Sequence, residues 1–194
     1  MKVDIVMAGV GGQGVLSAAT IIAEVARRTG LNVRQGEIHG MSQRGGAVLA
    51  NLRISDGEIT GDLVARGGAA MILSLEPVEA LRHLDYLSPD GILVTSTTPV
   101  QNVPDYPDVD AVLDAIAQLP HTLVVDAGPL AREAGSGRAD NVVMLGAASA
   151  FLPLETSLFK ECIADFFQSK GERVVELNLK AFALGRETAA VPLA

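Results

Sequence analysis

The chain has one cysteine, Cys162, and no tryptophan among its 194 residues. A lone cysteine cannot close an internal disulfide, and it cannot by itself hold an iron–sulfur cluster or a structural zinc. The expected role of Cys162 is a buried helix thiol. Aromatic residues make up 4% of the chain against 48% hydrophobic residues. The core must therefore be filled by Ala, Val, Ile and Leu, the usual filling of a parallel sheet covered by helices. Positive charge is also scarce: the net charge is −8, and no cluster of Lys and Arg stands out. That balance excludes nucleic acid as the main partner. No apolar run reaches the ~20 residues of a membrane span. Met1 to Asp4 lead directly into a strand rather than a signal peptide, so the cytoplasm is the expected compartment.

Catalytic signatures are missing too. There is no Cys-x-x-Cys, no Gly-Asp-Gly with a downstream Asn-Asn as thiamine diphosphate sites carry, no Gly-Lys-Ser/Thr phosphate loop and no Gly-x-Ser-x-Gly elbow. The chain reads as a binding architecture without a catalytic machine of its own. No cofactor or metal is expected to be bound by it.

What is present reads as a single α/β domain over residues 1–188 with a tail at 189–194. The expected architecture has three layers, with a mostly parallel, Rossmann-like sheet and an antiparallel hairpin insert. Val3 to Ala8 forms a buried strand, a glycine loop follows, and Val15 to Arg28 forms a helix apolar on nearly every side. Asn32 to Ile38 is the second strand. Ala47 to Ile54 alternates, with Val48, Ala50, Leu52 and Ile54 on one face. Ser55-Asp56-Gly57 then signals a hairpin turn, with a return strand at Glu58 to Thr60. Further strands are expected at Ala69 to Leu75, Gly91 to Thr95 and Thr122 to Asp126. Helices are expected from Pro77 to Leu84, Val109 to Leu119, Asn141 to Ala150, Leu154 to Ser169 and Leu177 to Arg186. Pro99, Pro104 and Pro107 mark an extended connection, expected to be the most mobile part.

Two loops carry the functional content. Gly9-Val10-Gly11-Gly12-Gln13-Gly14 has the Gly-x-Gly-x-x-Gly spacing between a strand and a helix. Its glycines and Gln13 form a candidate phosphate cradle or subunit contact. The second is the run from Glu37 to Gly46, with His39, Ser42, Gln43 and Arg44 next to Gly45 and Gly46. These six residues form a candidate ligand loop facing an active site, and Arg44 suits a phosphate or carboxylate. His83 and His121 read as surface residues.

Three stretches together resemble a known family: Gly9 to Gly14, Gly40 to Gly46 (Gly-Met-Ser-Gln-Arg-Gly-Gly) and Leu75 to Arg82 (Leu-Glu-Pro-Val-Glu-Ala-Leu-Arg). Asn141 to Gly146 and Asn178 to Gly185 fit as well. The chain resembles the beta subunit of indolepyruvate ferredoxin oxidoreductase, and is similar to the gamma subunit or domain of 2-oxoacid ferredoxin oxidoreductases. The likeness spans about Val3 to Arg186. It implies a subunit of a complex that decarboxylates a 2-oxoacid oxidatively to an acyl-coenzyme A. Thiamine diphosphate and iron–sulfur clusters would sit on partner chains, coenzyme A would be a co-substrate and ferredoxin the electron acceptor. The chain alone would be inactive, and self-association is a further expectation. The rival reading, favoured by the glycine spacing alone, is a free-standing NAD- or FAD-binding oxidoreductase. The expected ribose-gripping acid, Glu37, leads straight into the His39 loop.

Overall fold

The computed structural model describes residues 1–39, 45–102 and 104–190, apart from the side chain of His39. Strands β1 (Lys2–Val10), β2 (Asn32–His39), β3 (Ala47–Ser55), β4 (Ala69–Ser74), β5 (Leu87–Ser96) and β6 (Thr122–Val125) form one sheet in the order β2-β3-β1-β4-β5-β6. β1, β4, β5 and β6 run parallel, while β3 is antiparallel to both β1 and β2. The helices are α1 (Val15–Arg28), α2 (Pro77–Arg82), α3 (Val109–Ala117), α4 (Ala127–Ala134), α5 (Asp140–Ser149), α6 (Thr156–Phe167) and α7 (Glu172–Thr188).

β1 shows why the sheet is covered on both sides. Ile5 and Met7 enter the core beneath α1 and α4–α7, whereas Val6 and Ala8 enter the core beneath α2 and α3. Successive side chains point to opposite faces, so a strand buried twice reads as an unbroken apolar run. β3 obeys the same rule: Ala50, Leu52 and Ile54 face the α1 layer, as their alternation predicts.

The hairpin, however, is not the one the turn signal indicates. It consists of β2 and β3, paired from Asn32 opposite Ser55 to His39 opposite Val48. Glu58 to Thr60 form no strand. Both edges of β3 are already occupied by β1 and β2, so no edge remains for a third strand. The turn itself does form, with the Gly57 N–H donating to Ser55 Oγ at 3.0 Å. The chain then crosses the sheet face. Arg53 pairs with buried Asp4 at 2.9 Å and donates to the carbonyls of Thr60 and Gly61. The Val64 N–H donates to Asn51 Oδ1 at 3.0 Å.

Two helical details also differ from the sequence reading. α4 was not legible, because Gly128 and Pro129 stand in its first turn, where proline is in fact tolerated. α7 begins at Glu172, five residues earlier than its apolar pattern indicates, where Gly171 with φ 95° turns the chain into the helix. His83 is not a free surface group either: it is partly buried, with Nε2 3.6 Å from Glu79 Oε2. Cys162 is buried, and that burial pushes its thiol above the ordinary value.

α5 and α7 pack backbone to backbone. A Cβ at Gly146 would lie 2.1 Å from the Phe182 carbonyl oxygen, and one at Gly185 would lie 1.9 Å from that of Val143. Both distances are sterically forbidden, so these two glycines set the depth of the helix crossing.

Candidate functional site

The chain leaves β1 at Val10, with β3 on one side and β4 on the other. At this point successive connections diverge to opposite sides of the strand, and the crevice beyond its carboxyl end is the usual ligand site of open α/β sheets. The loop that follows is already partly saturated by protein. The Val10 N–H donates to Gln13 Oε1 at 2.7 Å, and the Gln13 N–H donates to the Val10 carbonyl at 3.0 Å. The Gly11 N–H donates to the Gly46 carbonyl at 2.8 Å, while the Gly45 N–H donates to the Gly11 carbonyl at 3.2 Å. Gln13 Nε2 reaches across to the Leu75 carbonyl at 2.8 Å. Thus the two sequence-designated loops meet, joined through Gly11, Gly45 and Gly46.

The first half of the glycine loop is therefore not an open anion nest. Gly9 is needed for packing, since a Cβ there would lie 2.8 Å from Val15 Cγ2. Gly14 precedes α1 with φ 87°, in the left-handed region, and packs against the Asn141 side chain. Within this loop it is Gly12 that is both left-handed, with φ 105°, and open, with nothing within 4 Å of a Cβ built on it.

The second half of the loop opens into a cleft of about 700 Å³. Gly12, Gln13, Gly14 and Ser17 form one wall at the N-terminus of α1, where the helix dipole favours negative charge. Arg138, Asp140 and Asn141, on the α4–α5 connection and the start of α5, line the same cleft, as does Lys170 after α6. Neither Arg138 nor Lys170 joins a salt bridge among the described residues, in contrast to Arg27, Arg28, Arg34, Arg53, Arg66 and Arg82. Phe166, exposed, and Phe167, under the Lys170 ammonium at 5.2 Å, add an apolar flank. Asp140 is the discordant group: burial raises its carboxyl above the usual Asp range. The cleft thus combines two cations, a helix N-terminus and aromatic surface, a set suited to a phosphate-bearing ligand with an apolar part.

Of the residues designated from sequence, the structure brings Gly11, Gly45 and Gly46 together and places Gly12, Gln13 and Gly14 on the cleft. Ser42, Gln43, Arg44 and the side chain of His39 lie outside the described residues. The sequence reading did not single out Arg138, Lys170 or Asp140. The only local signal is the polar run Ser136-Gly137-Arg138 just before an apolar helix, and Lys170 is brought near by folding alone. Among the described residues no group of three or more His, Cys, Asp or Glu converges to hold a metal, and no helix is long and apolar enough to cross a membrane.

Fold and site define an α/β protein with a glycine-loop crevice. Residues 4–188 match the pyruvate ferredoxin/flavodoxin oxidoreductase family, and the chain belongs to that family. It is 39% identical over 196 residues to the indolepyruvate oxidoreductase subunit IorB of Pyrococcus horikoshii, covering 96% of this chain and 95% of that one. It superposes on the keto/oxoacid ferredoxin oxidoreductase gamma subunit of Geobacter sulfurreducens with a TM-score of 0.71 at 26% identity, covering 97% and 98% of the two chains. The whole chain also superposes, at TM-score 0.80 and 25% identity, on 32% of the 2-oxoglutarate:ferredoxin oxidoreductase chain of Magnetococcus marinus, solved with 2-oxoglutarate, coenzyme A and succinyl-CoA bound. The chain is a gamma-type subunit of a 2-oxoacid:ferredoxin oxidoreductase, and such subunits work with partner subunits.

Proposed function

We propose that this subunit holds the phosphate-bearing end of coenzyme A in the crevice at the end of β1, within a complex whose oxoacid is an arylpyruvate of the indolepyruvate type. The carrying observation is the cleft that Arg138 and Lys170 line together with the N-terminus of α1. The thiol would extend toward a partner chain, past the loop of His39, Ser42, Gln43 and Arg44. Thiamine diphosphate and the iron–sulfur clusters belong to partner chains in this reading, because the chain offers a single cysteine and no converging metal ligands among the described residues. Ferredoxin takes the electrons. This subunit's own chemistry is binding and orientation: the cations neutralise phosphate, and the crevice fixes where the thiol arrives.

The sheet order counts against the rival dinucleotide reading. A dinucleotide fold places the ribose-gripping acid at the end of the strand adjacent to β1. Here β3 intervenes, so β2 with Glu37 lies two strand spacings away, about 10 Å. Glu37 is exposed and accepts from Gln35 Nε2 at 2.9 Å instead.

The test is a reconstituted complex carrying Arg138→Gln, Lys170→Gln or both. A lost charge-assisted hydrogen bond of about 1.5–3 kcal/mol predicts a rise of about ten- to a hundred-fold in the coenzyme A KM. The oxoacid KM should stay put. An unchanged coenzyme A KM in the double variant rejects the assignment. Tight NAD or FAD binding by the isolated chain, at micromolar Kd or below, would restore the rival.

A further inference from the structure

We propose that Glu76 is a positioning residue, which through the connection between β5 and α3 fixes Gly45 and Gly46 against the glycine loop. Its carboxylate is 1% exposed, and no cation pairs with it among the described residues. A buried carboxylate in that situation must be satisfied by hydrogen-bond donors alone. Three are present. Oε2 accepts from the Glu79 N–H at 2.9 Å, which caps α2. Oε1 accepts from the Val100 N–H at 3.3 Å and from the Tyr106 hydroxyl.

The cap uses only one oxygen. The donors to the other come from 24 and 30 residues further along the chain, so a capping role does not account for them. They belong to the connection whose prolines suggested mobility, and Glu76 grips it on both sides of residue 103. Between those two grips, Asn102 Nδ2 donates to the Gly45 carbonyl. Gly45 and Gly46 in turn bond Gly11. On the other side of Glu76, the Leu75 carbonyl accepts from Gln13, whose Oε1 accepts from Val10 N–H. The path closes on itself: Gly11, Gly45, Asn102, Glu76, Leu75, Gln13 and back to the glycine loop. Three separate connections, following β1, β2 and β5, are locked to the one that follows β4 by one carboxylate and two amide side chains, Glu76, Asn102 and Gln13.

The chemistry specifies glutamate. All three groups that bond the carboxylate are donors, to which a carboxylate offers acceptors on both oxygens. Glutamine would present an amide N–H₂ to one set of donors and lose either the cap or the strap. Burial, reinforced by the Glu76 carboxylate, raises the Tyr106 hydroxyl above its ordinary value, so the phenol remains a donor at every physiological pH.

Tyr106→Phe and Asn102→Ala cut the strap and spare the cap, so they test positioning apart from folding. In the reconstituted complex, amide exchange at Gly11 and Gly45 should accelerate about tenfold in each, a factor equal to about 1.4 kcal/mol. The double variant should do little more than the worse single one, because both act through the same strap. kcat should fall with the melting temperature unchanged. The proposal is overturned if exchange at these glycines stays at its wild-type rate. It is also overturned if exchange rises without any kinetic change, or if lost melting temperature is the only effect. The kinetic consequence rests on this crevice facing the reaction, as proposed above. Faster exchange with only the oxoacid kinetics altered would keep Glu76 in its role and reject the coenzyme A assignment.

Discussion

The crossing of α5 and α7 and the loop end of the sheet are both glycine-marked, yet their glycines answer different demands. At the crossing, Gly146 and Gly185 face the main chain of the opposite helix, and a single methyl would meet a carbonyl at 2.1 or 1.9 Å. At the loop end, Gly9 and Gly14 meet side chains, while Gly12 meets nothing at all. The crossing is rigid because backbone cannot yield. The loop end is held by hydrogen bonds that converge on Gln13, Glu76 and Asn102, and it keeps one glycine turned toward open space. Glycine in a motif is therefore not one signal. Where it is walled by backbone it records packing, and where it is open with a left-handed φ it records a shape kept free.

The sharpest way to break this contrast is Gly185→Ala. The added Cβ has no flexible neighbour to displace, so α5 and α7 must separate. A loss of about 3 kcal/mol or more is expected, at the upper end for overpacking. For a chain of this size that is about 6–12 °C in Tm. Denaturant unfolding checks it, and a variant of wild-type stability would show that the two helices are not locked.

Arg44→Ala should do the reverse. It lies in a glycine-rich run, outside the described residues; a side chain in such a run is not expected to support a core, so stability should stay within about 0.5 kcal/mol of wild type. If Arg44 holds a phosphate or carboxylate in the complex, turnover or coenzyme A affinity should drop about ten- to a hundred-fold, the equivalent of a charge-assisted hydrogen bond. Kinetics and Tm taken on the same preparations decide. Unchanged kinetics reduce the loop to a connector, and a large drop in Tm makes Arg44 structural.

Gly12→Ala sits between the two. It costs only backbone strain, about 1–2 kcal/mol for a left-handed residue. A coenzyme A affinity loss far beyond that strain would show that ligand approaches the loop closely; an affinity matching wild type would show that Gly12 only shapes the turn.

The smallest expected effect concerns pH. Burial raises the folded-state carboxyl of Asp140 above its unfolded value. Its contribution to stability is then fully present below the unfolded value, about 3.9, and is lost as pH rises through the raised folded one. Asp140→Asn should therefore flatten the fall in stability across that acidic window, with a modest gain at neutral pH. It should also tighten anion binding between Arg138 and Lys170. Denaturant midpoints between about pH 4 and 7 measure the first effect. A variant that is less stable at neutral pH would contradict the burial argument.

Most elements were legible in the chain because they depend on local pattern. The run Ile5 to Ala8 has to be buried on both faces, and the all-round apolarity of Val15 to Arg28 has to be covered. The alternation in β3 assigned Ala50, Leu52 and Ile54 to one face correctly. The hairpin partner was misread because Ser55-Asp56-Gly57 is a sound turn in any context; whether a strand follows depends on a free edge, and β1 had already taken it. The two loops stood out in the sequence by their glycines, but their junction through Gly11 and Gly45 did not, since hydrogen bonds between distant loops leave no periodic trace.

The sequence by itself determined the fold class, the family motifs and the absence of a metal-binding cysteine set, because composition and spacing act over a few residues at a time. Only the tertiary structure decided that β3 separates Glu37 from the glycine loop, that Arg138 and Lys170 share a cleft with the N-terminus of α1, and that Glu76 accepts from Val100 and Tyr106. Each of these depends on groups tens of residues apart meeting at a few ångströms. Strand order and helix packing set such distances, and no local pattern encodes them.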